Sequence, residues 1–217
     1  MKGKMKNTQE IKEELFQRYP VLESCRDSII KAYDVLINLY KNDGKLLLAG
    51  NGGSAADSDH ISGELTKSFL FKRAVSSDLK NNLEKMFGEK GKELSEHLEG
   101  GLAAIPLTNL NASNTAFAND TDPKTSFAQL VNAIGKKGDV FMGISTSGNS
   151  DNIIKALMVA KAKSITTIAL TGRTGGKCKD YADICICAPE DETFKIQELH
   201  LPIYHALCMM VEAELFN

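Results

Sequence analysis

Leu46–Glu64 reads LLLAGNGGSAADSDHISGE, and the fold turns on how this stretch is parsed. Leu46–Ala49 is a short, continuously apolar run, the mark of a strand covered on both faces in a parallel sheet. Gly50, Gly52 and Gly53 form a turn in which the backbone can come close to a ligand. A helix then opens at Ser54, and the first N–H groups of a helix have no helical partner and favour an anion. His60 and Glu64 are four residues apart, so they share one face of that helix about one turn apart. One strand–turn–helix unit thus presents an anion site and, further along, an imidazole beside a carboxylate. The pair suits two metal ligands or a general base with its partner. It also suits a plain surface pair contributing a few tenths of a kcal/mol.

Outward from this unit, strands and helices alternate. Apolar runs at Lys45–Ala49, Ala103–Leu107, Val140–Ile144, Ile165–Leu170 and Asp183–Ala188 are separated by helical patterns, the last of them a long helix over Asp191–Phe216. This alternation predicts an α/β chain with a five-stranded parallel sheet in a three-layer sandwich. Ligands in such sheets bind at the carboxyl ends of the strands, where the polar loops after the first three strands lie. Residues 8–43 read as two helices broken at Tyr19-Pro20. The second is apolar around much of its circumference, as at a subunit interface. Residues 71–101 are polar and dense in Lys and Glu. They read as a helical insertion or lid over Asp78–Phe87 and Lys92–Leu98, with too little apolar content for a core of their own. The whole of 1–217 is read as one domain.

The composition narrows the function. At 217 residues, 42% hydrophobic and 25% charged, the chain has ample material for a core. A net charge of −2 and the absence of long basic blocks argue against nucleic-acid binding. MKGKMKNTQEIKEE at the amino terminus is too polar for a signal peptide, and no run approaches a membrane span. Five cysteines with no CxxC pair fit a reducing cytoplasm, and Cys185 and Cys187 read as small core residues.

Two further stretches carry chemistry. Ser145–Ser150, STSGNS, joins a strand to a helix with four hydroxyls, an amide and a glycine. Hydroxyls and backbone N–H groups at a helix N-terminus make a phosphate cradle, and also an ordinary capped turn. No Gly-Lys-Ser/Thr is present, so a nucleoside triphosphate is not implied. IQELHLPIYH, Ile196–His205, places Gln197 and His205 eight residues apart, able to face one side of the final helix. Pro202 removes a backbone bond and bends that helix.

Together these stretches resemble the sugar isomerase (SIS) family, and within it the phosphoheptose isomerases. The resemblance rests on GNGGS at Gly50–Ser54, His60 with Glu64, AND at Ala118–Asp120, STSGNS, and the IQE…H of the last helix, and covers residues 8–70 and 102–217. It implies a flavodoxin-like SIS domain that converts sedoheptulose 7-phosphate to D-glycero-D-manno-heptose 7-phosphate through an enediol, for bacterial lipopolysaccharide or surface-glycan precursors. It further implies a cytoplasmic homotetramer with active sites between subunits. Ser145, Thr146, Ser147 and Ser150 correspond to the phosphate site. Asn51, Gly52, Gly53 and Ser54 correspond to sugar contacts, with Asn119 and Asp120, and with Glu64 and Gln197 also touching substrate. His60, Glu64, Gln197 and His205 correspond to ligands of one zinc ion per subunit, and Glu64 and His205 to the acid/base pair. Two features depart from the pattern. Residues 71–101 are longer than the corresponding connection, and Lys67 and Lys72 match no role. Two alternatives stand: a non-catalytic tetrameric SIS adaptor of the replication initiator, and an isomerase of another sugar phosphate.

Overall fold

In the computed structural model, which describes residues 6–216, five parallel strands form one sheet. The first five residues of the polar amino terminus lie outside the described part. The strands are β1 (Leu46–Gly50), β2 (Ala104–Pro106), β3 (Val140–Ser145), β4 (Thr166–Thr171) and β5 (Ile184–Cys187), in the order β2-β1-β3-β4-β5. The expected α/β class and sheet are therefore present, with strand ends shifted by no more than one residue.

Ten α-helices are described: α1 (Thr8–Arg18), α2 (Arg26–Lys41), α3 (Gly53–Thr66), α4 (Ser77–Phe87), α5 (Glu89–His97), α6 (Asn111–Asp120), α7 (Ser126–Ile134), α8 (Asp151–Ala162), α9 (Cys178–Tyr181) and α10 (Thr193–Phe216). Successive side chains of a strand point to opposite faces, and β1 shows how the layers follow. Leu46 and Leu48 join Ile11, Leu36, Ile61, Ile203 and Leu207, from α1, α2, α3 and α10. Leu47 and Ala49 join Phe127, Val131, Ile153, Leu157 and Cys178, from α7, α8 and α9. All five residues of β1 are buried because helices cover both faces. Edge strand β5 is less enclosed, and Cys185 and Cys187 are half-buried rather than core.

Local signals account for the termini. Asn7 and Glu10 form a reciprocal capping box at the start of α1. Ser76 caps α4 by accepting from the Leu79 N–H. α4 and α5 form a hairpin about Gly88, and neither buries a large apolar side chain. After β2 come a short 3-10 turn and then α6. Among the described residues no helix is long and apolar enough to cross a membrane.

Packing of α10 has a pH consequence. His200 is fully buried; its Nε2 lies 3.1 Å from the Thr171 carbonyl oxygen, and its Nδ1 has no partner. Burial pushes this imidazole down from 6.5 to about 4. The folded chain then holds it neutral over a range in which the unfolded chain is protonated. Its contribution to stability is complete above pH 6.5 and is lost as pH falls toward 4. Urea unfolding at neutral pH and just above pH 4 should show the wild type losing about 2–3 kcal/mol more than a His200→Leu variant. Equal losses would place the acid sensitivity elsewhere. The variant leaves the Thr171 carbonyl its bond from the Ala188 N–H.

Candidate active site

α3 and α10 run side by side in the same direction, and contacts between them recur along their length. At their starts, Gln197 packs its amide on Gly53; a Cβ there would stand 2.3 Å from Gln197 Nε2, so a larger residue would push that amide aside. One to two turns on, His60 meets Tyr204 and His205. Beyond that, Glu212 reaches the loop that leaves α3.

The middle contact holds the reactive groups. His60 Nε2 lies 3.2 Å from Glu64 Oε1 and 3.3 Å from His205 Nε2. On the other side of the His60 ring, Tyr204 Oη is 3.0 Å from Nδ1 and donates to Asp57 Oδ1 at 3.3 Å. Asp57 and Tyr204 thus hold the His60 ring so that Nε2 points at Glu64 and His205. Burial raises the Asp57 carboxyl, opposed by the Tyr204 hydrogen bond and His60. Burial, then the neighbouring His60, lowers His205. The Phe69 ring, its centroid 5.4 Å from that of His205, covers the imidazole on a further side. A cavity of about 500 Å³ opens beside His205 between α1, α10 and Leu70–Phe71.

A zinc ion sets a geometric standard for this donor set. With bonds of roughly 2.0–2.1 Å, tetrahedral ligands stand about 3.3 Å apart. The two separations from His60 Nε2 match edges of such a tetrahedron. Glu64 Oε2 is buried without a hydrogen-bond partner, with Lys67 Nζ at 3.7 Å. His60, Glu64 and His205 therefore suit the ion in donor type and pairwise spacing. They do not close into a cage: Glu64 and His205 each meet His60 and not one another, and among the described residues no group of three or more His, Cys, Asp or Glu is arranged to hold a metal. Gln197 is not with them. Its amide lies against Gly53, about two turns of helix before His205.

At the carboxyl edge of the sheet, the loop after β3 is held in shape from several directions. Ser145 and Ser150 share a hydrogen bond of 2.9 Å between their hydroxyls, and Ser147 Oγ accepts the Asn149 N–H at 3.1 Å. Gly148 has φ +64°, and a Cβ there would stand 2.0 Å from the Gly175 carbonyl oxygen. The loop ends at α8, whose opening N–H groups lack helical partners. Asn51 and Asn152 exchange two side-chain hydrogen bonds, 3.0 and 2.9 Å, and tie the glycine turn after β1 to α8. Ser54 is buried, while Asn51, Gly52 and Gly53 are exposed at this edge. Asn119 and Asp120 sit at the far end of α6 and bond to each other at 3.0 Å. Among the described residues no hydrogen bond joins them to the other candidate groups.

Comparison with known proteins bears on this arrangement. The SIS domain model matches residues 84–172. Phosphoheptose isomerase 2 of Campylobacter jejuni is 39% identical over the whole chain and 93% of its own length. The chain belongs to the phosphoheptose isomerase family. The member from Aneurinibacillus thermoaerophilus is 38% identical over all of this chain and 94% of its own. Among solved members, the enzyme from Neisseria gonorrhoeae aligns with TM-score 0.70 and 32% identity, covering 95% of this chain and 93% of that one. The Francisella tularensis enzyme aligns with TM-score 0.71 and 28% identity, over 92% and 93%. Phosphoheptose isomerases are aldose–ketose isomerases, so the expected family, fold and reaction class hold.

Four residues around the site escaped the sequence reading: Asp57, Phe69, Asn152 and Tyr204. Asp57 lies three residues before His60 on the same helix face, a signal that was readable. Tyr204 precedes His205 but faces His60 only because α10 lies along α3.

Proposed function

We propose that this chain interconverts sedoheptulose 7-phosphate and D-glycero-D-manno-heptose 7-phosphate through an enediol. The observation that carries the reading is the Glu64 carboxylate and the His205 imidazole, delivered by two helices to the same nitrogen of His60. Moving a proton between neighbouring carbons needs a base at carbon and an acid/base at oxygen. Glu64, with one oxygen unpartnered, is suited to take the proton from carbon. His205, whose proton affinity is lowered by burial and then by His60, is suited to the oxygen. The Ser145–Ser150 loop, with Thr146 and Ser147, would seat the phosphate at the N-terminus of α8. Asn51, Gly52, Gly53, Ser54 and Gln197 would contact the sugar, and Asn119 and Asp120 would join them from α6.

The reading includes a zinc ion, for which His60, Glu64 and His205 supply donors of suitable type and pairwise spacing and Gln197 is the fourth expected ligand; when bound it would polarise the substrate carbonyl. The reading also includes a homotetramer in the cytoplasm, supported by family membership and by the partly covered Tyr33, Val35 and Ile37 on α2. Residues 71–101 are proposed as an appendage of a single domain.

The test is turnover. Purified protein incubated with sedoheptulose 7-phosphate, with and without zinc and chelator, should yield the aldose by NMR. Product abolished by chelator supports both enzyme and metal, and product indifferent to it removes the zinc. No product from folded protein would favour another sugar phosphate. Ser147→Ala should raise KM by about tenfold, the value of one hydrogen bond to a charged group, with kcat little changed. An unchanged KM would move the phosphate elsewhere.

A further inference from the structure

Arg73 is 1% exposed, and its guanidinium is spent entirely inside the protein. Nε donates to Glu212 Oε1 at 2.8 Å. One terminal nitrogen donates to the Leu65 carbonyl at 2.7 Å and the other to the Glu64 carbonyl at 2.9 Å. Glu212, whose side chain is also fully buried, accepts the backbone N–H groups of Phe69 and Leu70, both at 2.8 Å. The Phe216 ring lies 4.8 Å beneath the guanidinium.

We propose that Arg73 and Glu212 are positioning residues for the isomerisation, holding Glu64 and His205 at their working separation. The proposal rests on the roles given above to those two groups. The pair joins three things at once. It grips the last turn of α3 at the carbonyl of Glu64 itself, where a cation also meets the negative end of the helix. It fastens the loop that carries Phe69 against His205. It anchors both to α10, two turns beyond His205 on the same helix. Stability alone is a poor reason for the pair, because a buried ion pair can often be exchanged for apolar residues without loss. Apolar residues cannot bond the four backbone groups of Glu64, Leu65, Phe69 and Leu70.

The experiment is the double variant Arg73→Met/Glu212→Leu, which leaves no unpaired charge. It should unfold cooperatively, keep KM within about twofold, and lose about tenfold or more in kcat, as for a displaced catalytic group. In histidine ring NMR spectra the His60 and His205 signals should move, while that of His200, held at Thr171, stays. A folded double variant with wild-type kcat and unmoved His60 and His205 signals overturns the proposal. If the double variant does not fold, Arg73→Lys serves. It keeps the charge beside Glu212 but lacks the planar fork, and the same kcat loss and ring shifts are expected. A wild type inactive on sedoheptulose 7-phosphate would overturn the roles of Glu64 and His205. The ring signals would still decide whether the pair sets the geometry.

Discussion

Glu64→Gln should lower kcat on sedoheptulose 7-phosphate by about 10²–10⁴-fold, the range contributed by a positioned acid or base, while phosphate affinity and folding stay near wild type. The substitution keeps the shape and can still bond His60 through the amide, so the Oε1 contact at 3.2 Å is not forfeited. It removes charge and basicity from an oxygen that has no hydrogen-bond partner among the described residues, with the Lys67 ammonium at 3.7 Å. A group that is only structural would show the opposite pattern, with lower stability and intact turnover. Following aldose formation by NMR, and phosphate binding by calorimetry, separates the two. Turnover within a fewfold of wild type would remove Glu64 from the chemistry. The phosphate loop hangs from β3 and α8, away from the α3–α10 contact, which is why binding should survive.

Glu212→Leu alone should cost about 3–5 kcal/mol, the penalty for leaving a buried charge without its partner, out of a total that for most domains is roughly 5–15 kcal/mol. Arg73 would keep its bonds to the Glu64 and Leu65 carbonyls but lose its counter-charge, and the Phe69 and Leu70 N–H groups would lose their acceptor. Adding Arg73→Met should return the part of the loss due to the unpaired charge, since the two residues act as a unit and their effects are not additive, while the backbone groups they bonded stay unmet. Urea unfolding of the wild type, both single variants and the double variant gives the coupling directly. A double variant as unstable as the sum of the singles would mean that the charges do not depend on each other.

How much of this was legible depends on distance along the chain. The alternation of Leu46, Leu47, Leu48 and Ala49 between two cores followed from an apolar run too short for a helix. The glycine turn, the His60–Glu64 spacing and the STSGNS loop were legible because each is local. What escaped was set by neighbours far away in sequence. Tyr204 belongs to His60, and Glu212 to Arg73, across 144 and 139 residues, and no periodicity in either segment announces the other. Arg73 in particular lies at the edge of a polar stretch and looks like one more surface cation. Gln197 is a different case: helical phase says which way it faces, and its contact with Gly53 comes from the packing of α10 along α3. Asn119 and Asp120 were expected at the sugar, and in the single chain they bond to each other; a motif match carries no position in space.

The parallel run of α3 and α10 works as two rails with rungs. Gly53 meets Gln197, Asp57 and His60 meet Tyr204, and Phe69 meets Glu212, at sequence offsets that stay between 143 and 147. Chain length between the rails is therefore cheap to change. Loops and even a whole hairpin can be gained or lost between Arg73 and Thr193 without moving a rung. Length within a rail is not. One residue inserted between Gln197 and Glu212 would turn everything beyond it by about 100°, so that His205 or Glu212 would swing away from its rung. Diversification of such a chain is channelled into the span between the rails, where the polar helices α4 and α5 already sit.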